Sequence, residues 1–305
     1  AMRLSALAAY ARTLGCTAEE QVSMIDYTSF KIGGPADVYI TAPTEAAAAA
    51  ALIRCREEDI PVYLLGNGTN LLVGDKGLRG AVIRLDGRQA APTLQPDGRT
   101  VQCSAGVSLK RLCQYARDKA LTGLEFAFGI PGAVGGAVYM NAGAYGGQMD
   151  QVLVSATGLS RTGKRHTFAA DRLNLGYRHS VFMDEGDMVV SATLRLTPGD
   201  PAEIAARMEE LLRRRRDKQP LEYPSAGSFF KRPPGHFAGA LIEGCGLKGF
   251  AVGGAQVSEK HAGFVVNRGG ATAQDVLRLC EAVQERVFRE QGVQLEPEVR
   301  FIGEF

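Results

Sequence analysis

The chain has 305 residues, 45% of them hydrophobic and 22% charged, with a formal net charge of +2. That balance excludes wholesale disorder and fibrous repeats, and the charge is too small for the broad basic footprint left by phosphate-backbone binding, so no nucleic-acid partner is expected. At roughly 150 residues per domain, the length suggests about two domains, each able to bury a core.

The six cysteines (Cys16, Cys55, Cys103, Cys113, Cys245, Cys280) form no CxxC pair and have no histidine at ligand spacing. They are expected to be reduced core or surface thiols, with no metal site. No export signal opens the chain, and its longest strongly apolar run, Ala46 to Ile53, is far short of the ~20 residues that span a bilayer. A cytoplasmic protein without membrane insertion is expected.

In chain order, Leu4, Leu7, Ala8, Tyr10, Ala11 and Leu14 mark an amphipathic opening, and Ala36 to Thr41 alternates like a strand. Thr44 is a candidate N-cap for an alanine-rich helix that Pro61 should end, and Val62 to Leu65 reads as a buried strand. Residues 36–65 therefore read as a β-α-β unit. Leu71 to Val73, Ala81 to Leu85, Thr100 to Ser104, Val152 to Leu159 and Met188 to Leu196 read as further strands, with a helix near Leu109 to Lys119.

The polar stretch Thr197 to Pro201 is taken as the domain boundary, dividing 1–198 from 199–305, and a helix is expected at about Ala202 to Lys218. The run Arg213 to Arg216 near its end reads mainly as a solvated turn that suits the helix dipole, with a phosphate contact as the other reading. Thr272 and Asp275 form a capping pair for a last helix with Val276, Leu279, Cys280, Val283 and Val287 on one face and Gly292 as its stop. The class is α+β.

Glycine is the compositional outlier, at 37 residues or about 12% of the chain against a usual ~7%. One cluster, Leu65-Gly66-Asn67-Gly68-Thr69-Asn70, comes directly after a strand but is no dinucleotide fingerprint: Leu71 stands where the third glycine would be, and Leu71 to Val73 is strand-like rather than a helix opening. A loop of backbone N–H groups that could cradle an anion remains. The second cluster holds seven glycines within residues 129–147, with Asn141 almost its only polar side chain. Such a stretch removes bulk without adding charge, as expected where backbone approaches a large flat or phosphorylated ligand; tight backbone packing is the competing explanation.

Six motifs in order, Tyr27 to Ala36, Leu65 to Leu72, Gly129 to Gly147, Gly176-Tyr177-Arg178-His179-Ser180, Gly227-Ser228-Phe229-Phe230-Lys231-Arg232-Pro233 and Leu295-Glu296-Pro297-Glu298-Val299-Arg300, resemble those of the UDP-N-acetylenolpyruvoylglucosamine reductases over about residues 20–303. The resemblance implies an FAD-binding fold of the vanillyl-alcohol-oxidase type, in two lobes of about 1–75 and 76–198, and then an α+β substrate-binding domain over 199–305. It implies FAD as cofactor, NADPH as reductant and a UDP-sugar enolpyruvyl ether as substrate, in a cytoplasmic enzyme of peptidoglycan precursor synthesis; separately, a monomer is expected.

By position, the resemblance makes Arg178, Ser228 and Glu298 catalytic. It gives the FAD contacts to Gly66, Asn67, Gly68, Thr69, Asn70, Leu71, Gly129, Ile130, Pro131, Gly132, Gly135, Gly136, Asn141, Ala142 and Gly143. Tyr177, Lys218, Lys231, Arg232 and His261 would touch substrate. The residue types suit the chemistry: hydride addition to an enolpyruvyl ether leaves enolate charge that a fixed guanidinium such as Arg178 can hold, with Glu298 orienting its surroundings. Ser228 would deliver the proton, helped by a nearby cation because a serine hydroxyl is a weak acid.

The short interval between Ser180 and Lys218 resembles the branch without an inserted tyrosine loop, the 232–239 stretch departs from the longer branch, and Thr69 replaces the usual serine while keeping a hydroxyl. Two alternatives stay open: another FAD-dependent oxidase or dehydrogenase, disfavoured because no histidine lies in a glycine cluster, and a non-catalytic flavin or nucleotide module, which would leave Arg178, Ser228 and Glu298 unexplained.

Overall fold

The computed structural model describes residues 2–66 and 68–305. The chain folds as two compact units, one of Ala1–Glu20, Val38–Gly66 and Gly80–Arg214, the other of Gln21–Asp37, Asn67–Arg79 and Arg215–Phe305. This division by packing is not the linear one expected from sequence, because two stretches of the N-terminal half, 21–37 and 67–79, belong with the C-terminal residues.

In the first unit the opening helix, Met2–Thr13, buries Leu7, Ala8 and Ala11 as its amphipathic pattern requires. The next helix, Glu45–Glu57, is capped by Thr44, whose hydroxyl accepts from the Ala47 N–H at 3.1 Å. Pro61 is not what ends it. Asp59 turns left-handed at φ +52°, and the N–H groups of Asp59 and Ile60 return to the carbonyls of Arg56 and Cys55, closing the last turn before the proline.

The four-stranded sheet runs in spatial order Thr17–Ser23, Pro35–Ala42, Leu78–Leu85, Val62–Leu64, with the last two parallel. The β-α-β unit is present, but Leu78–Leu85 lies between its strands, and Val62–Leu64 is an edge strand, only half-buried rather than buried. A second sheet is antiparallel, in the order Arg165–Ala169, Leu153–Leu159, Met188–Arg195, Thr100–Ser104, Thr93–Leu94. The helix Leu109–Asp118, capped by Ser108, adds Leu109, Leu112, Cys113 and Ala116 to this unit's core.

The second unit is built on an antiparallel sheet in the order Ser225–Ser228, Phe264–Asn267, Ala255–Val257, Ala251–Val252. The helix Ala273–Gln291 packs its expected face into this unit's core, starting at the Thr272–Asp275 capping box and stopping at Gly292 with φ +71°. Phe30, Ile32 and Leu72, all at most 1% exposed, are members of that same core. The Asp75 carboxylate accepts from the N–H groups of Ala273 and Gln274 at 2.8 and 3.1 Å, and Arg300–Ile302 pairs in parallel with Leu71–Val73. The two N-terminal excursions are thus structural parts of the C-terminal unit.

The helix Pro201–Lys218 carries the arginine run. Arg213, Arg214 and Arg216 are solvated, with Arg214 bonded to Glu210 at 2.6 Å, whereas Arg215 is only 6% exposed. All six cysteines are free and buried. Burial pushes the Cys55 thiol up to about 11 and those of Cys103, Cys113 and Cys280 to about 12, so these four are chemically quiet.

Candidate active site

Of the candidate residues, the first unit carries Tyr177, Arg178, Gly66 and the whole 129–147 cluster. Gly176 and His179 exchange main-chain hydrogen bonds, N–H to carbonyl in both directions, which makes Tyr177 and Arg178 the two tip residues of a tight turn. Arg178 sits there at φ +49°, a left-handed conformation that a non-glycine residue holds only when its surroundings enforce it. Its guanidinium lies 5.4 Å from the Tyr177 ring centroid, and Nη2 donates to the Gly143 carbonyl at 3.5 Å. Tyr177 is 54% exposed.

Next to Arg178, His179 bridges the Asn174 carbonyl (Nδ1, 2.8 Å) and the Asp184 carboxylate (Nε2, 2.6 Å). The bond to Asp184 is the main reason that the His179 pKa is raised, and the same bond lowers that of Asp184.

The glycines of this unit separate into two kinds. A Cβ on Gly66 or Gly136 would meet no protein atom within 4 Å, and both residues are exposed. By contrast, a Cβ on Gly135 would stand 2.8 Å from that of Ala105, and one on Gly143 would stand 2.6 Å from Cγ of Gln148. The first pair leaves backbone open to a ligand; the second is explained by packing alone. The main chain of the cluster is partly committed as well, since Val134 and Gly135 donate to the carbonyls of Val107 and Ala105, and Gly132 accepts from Leu109. Gly129 and Gly132 have φ +97° and +113°, backbone that favours glycine; Ile130 and Ala142 are half-buried and Pro131 is exposed.

The second unit carries Ser228, Glu298, Lys218, Lys231, Arg232, His261 and the latter part of the first glycine loop. Strict alternation along Ser225–Ser228 would point Ser228 the same way as Ala226, which is buried. The pairing prevents this: Ser225 faces Val266 and Ser228 faces Phe264, three residues against two, so the strand holds a bulge. Gly227 takes it up at φ +76°. Beyond the bulge Ser228 is exposed while Phe229 is 1% exposed and anchored.

The next residues pair with the chain terminus: Glu298 N–H donates to the Phe229 carbonyl at 2.7 Å and Lys231 N–H to that of Glu296 at 2.8 Å. Ser228 and Glu298 are thereby brought onto adjacent backbone, with Glu298 half-buried. Asn70 supports the same segment, accepting from Arg300 N–H at 3.0 Å and donating to the Glu298 carbonyl at 3.5 Å.

In the first loop, Gly68 is buried at φ +65°, and a Cβ there would stand 2.3 Å from the Tyr27 carbonyl oxygen, so packing requires that glycine. Thr69 is half-buried, Leu71 is buried and begins a strand, and Asn67 lies outside the described residues.

The proposed substrate contacts are spread more widely. Lys218 ends its helix exposed, Lys231 pairs loosely with Glu296 at 3.8 Å, and the Arg232 guanidinium lies 4.2 Å from the Phe237 ring centroid. His261 is turned inward: Nδ1 accepts from Gly263 N–H at 3.0 Å and burial pushes its pKa down, which favours a neutral ring. Asp150, His179, Ser180 and Gln148, which support the Arg178 turn and Asn141, were not among the sequence candidates; their role depends on tertiary proximity and leaves no local signal.

Comparison with known proteins places these residues in context. Residues 36–169 match the family described as FAD binding domain, and residues 219–302 match UDP-N-acetylenolpyruvoylglucosamine reductase, C-terminal domain. The UDP-N-acetylenolpyruvoylglucosamine reductase of Agathobacter rectalis is 50% identical over 292 residues, 92% of this chain and 93% of that protein. One from Clostridium botulinum is 47% identical over 94% of this chain and 93% of its own length. The crystal structure of the corresponding reductase from Thermus caldophilus superposes with a TM-score of 0.81 at 39% identity, covering 94% of this chain and 99% of that one. The motifs, the fold and these likenesses over nearly the full length agree: the chain belongs to the UDP-N-acetylenolpyruvoylglucosamine reductase family.

Proposed function

We propose that Arg178, Ser228 and Glu298 carry the chemistry of this chain, which as a member of its family is an FAD-dependent, NADPH-using UDP-N-acetylmuramate dehydrogenase of peptidoglycan synthesis. FAD, when bound, supplies the hydride that reaches the enolpyruvyl methylene of the substrate. The chain's residues suit the cofactor: Gly66 and Gly136 offer side-chain-free backbone facing open space. Arg178 would hold the substrate carboxylate as negative charge spreads into it, a bidentate, charge-assisted contact worth most where water is excluded. Ser228 would give its hydroxyl proton to the carbon adjacent to the methylene, completing addition of hydride and proton across the double bond. Glu298 would orient the carboxylate end.

The observation that supports this assignment best is the Gly227 bulge, which exposes one serine from a strand whose neighbours Ala226, Phe229 and Phe230 are buried, on backbone joined to Glu298. In functional terms we assign 1–198 to the flavin and 199–305 to the substrate, and we place the enzyme in the cytoplasm as a monomer. Among the described residues no helix is long and apolar enough to cross a membrane. Of the FAD contacts, those at Gly66, Gly129, Ile130, Pro131, Gly132, Gly136, Thr69, Asn70 and Ala142 remain part of this reading. At Gly68, Gly135 and Gly143 close packing already accounts for glycine.

The test is direct. The purified protein is expected to be yellow, to bleach anaerobically with NADPH, and to be reoxidised by UDP-N-acetylglucosamine enolpyruvate. A reduced flavin that this substrate does not reoxidise would sink the reading.

A further inference from the structure

The segment 129–147 is nearly all glycine, alanine and apolar residues, yet it contains one asparagine that is 1% exposed. Asn141 comes after the short helix Val134–Tyr139 in the left-handed conformation, φ +47°, and the N–H of Ala142 returns to the Ala137 carbonyl at 2.8 Å. Glycine would serve that turn at least as well, so the amide side chain needs its own explanation. The amide is fully engaged within the first unit. Nδ2 donates to the Gly176 carbonyl at 2.9 Å and to Gln148 Oε1 at 3.0 Å, and Oδ1 accepts from Asp150 N–H at 2.9 Å.

Gly176 is the first residue of the turn that bears Arg178, and two further bonds tie that turn to the same segment. Ser180 Oγ donates to the Tyr139 carbonyl at 2.7 Å, and Arg178 Nη2 donates to the Gly143 carbonyl at 3.5 Å. Asn141 therefore stands at the middle of a clamp, Tyr139 to Gly143 on one side and Gly176 to Ser180 on the other. Both Asn141 and Arg178 are held at positive φ. A left-handed arginine at a turn tip stays put only while the turn is constrained from outside.

We infer that Asn141 is a positioning residue for Arg178: its buried amide fixes the Gly176 carbonyl and with it the direction of the guanidinium, and it is not a flavin ligand. Both of its donors and its acceptor are engaged by the protein. The inference rests on the catalytic role proposed for Arg178.

Asn141→Asp keeps the shape, the tolerance of positive φ and the acceptor for Asp150, but removes both donors. Asn141→Gly keeps the backbone and removes the whole clamp, and it covers the case in which a buried carboxylate prevents folding. In stopped-flow measurements, flavin content and the rate of bleaching by NADPH are expected to stay within about twofold of the unaltered enzyme. Reoxidation by the enolpyruvyl nucleotide is expected to fall about tenfold to a hundredfold, the scale set by misplacing a catalytic group by roughly 1 Å.

In an Arg178→Ala background the same substitutions should cost less than about twofold more, since a clamp with nothing to position has no further effect. Loss of both half-reactions in step, no loss at all, or full multiplication of the two losses in the double variant would each overturn the inference. If the unaltered enzyme is itself not reoxidised, the functional reading fails and the inference falls with it. If the unaltered enzyme turns over and only the variant pattern is wrong, the inference alone fails.

Discussion

In the first unit the turn bearing Arg178 is tied down by side chains, those of Asn141, Ser180 and His179. In the second unit Ser228 and Glu298 are set by main-chain bonds, one bulge and one short pairing with the chain terminus. Side-chain ties are vulnerable to single substitutions around the turn. Main-chain ties ignore most side-chain changes and are sensitive chiefly where a glycine carries an unusual φ. Under the roles proposed above, Arg178 would be the tunable member and Ser228 the one insensitive to most side-chain changes around it.

The largest effects are expected at the residues proposed to react with substrate. Ser228→Ala and Arg178→Ala are each expected to slow reoxidation by substrate by about a thousandfold while NADPH still bleaches the flavin at its normal rate. If either variant slows both half-reactions equally, that residue does not have the role given to it.

Glycines sharpen the contrast next. Gly68→Ala places a Cβ against the Tyr27 carbonyl and forces φ +65° on alanine, so a loss of about 2–3 kcal/mol of stability is expected in denaturant titration. Gly136→Ala meets no protein atom and lies in a helix, so apoprotein stability should hold or rise by about 0.5–1 kcal/mol while the flavin content of the purified protein drops. Retention of a full complement of flavin would show that Gly136 is not a clearance position.

Gly227→Ala tests the bulge: with no clash, only the positive φ opposes it, about 1–2 kcal/mol. Because the bulge aims Ser228, reoxidation by substrate should fall further than stability does; an unchanged reoxidation rate would argue against the bulge as its positioning device.

The smallest effect is electrostatic and belongs to the first unit alone. The His179 pKa is raised, chiefly by Asp184, and that of Asp184 is lowered by His179. The histidine's contribution is complete below its ordinary value and fades as pH rises through the raised one; that of Asp184 is present above the ordinary carboxylate value and fades as pH falls through the lowered one. The pair is strongest in the window between. NMR titration of the His179 ring should show a midpoint above about 6.5 that Asp184→Asn brings back toward it. A midpoint indifferent to Asp184 would show that this carboxylate does not set the charge of His179.

Much of this was legible in the sequence because it is local. The N-cap at Thr44, the Thr272–Asp275 box and the apolar face from Val276 to Val287 are carried by residues within two or three turns of one another. Motif order over nearly the whole chain carried the family. Position in a sheet was not legible: Val62–Leu64 looks buried but forms an edge, because that depends on Leu78–Leu85 inserting between two earlier strands. The reasons for individual glycines were hidden as well, since Gly136 and Gly135 are neighbours in sequence with opposite surroundings. So was the placement of residues 21–37 and 67–79, since nothing local distinguishes Phe30 or Leu72 from residues that pack in the first unit.

Those two excursions have a consequence for how the chain is made. Phe30, Ile32, Leu72 and the capping Asp75 leave the ribosome early, but the strand, helix and core that receive them lie after residue 214. Until Arg300–Ile302 emerges to pair with Leu71–Val73, the nascent protein carries an unpaired strand and, at Phe30, Ile32 and Leu72, unsheltered apolar groups. Such distant partners raise contact order and slow folding. A fragment cut after Arg214 is therefore expected to retain sequences whose packing partners are gone, so neither piece is a self-contained domain, and expression of residues 215–305 alone should give an incompletely folded product.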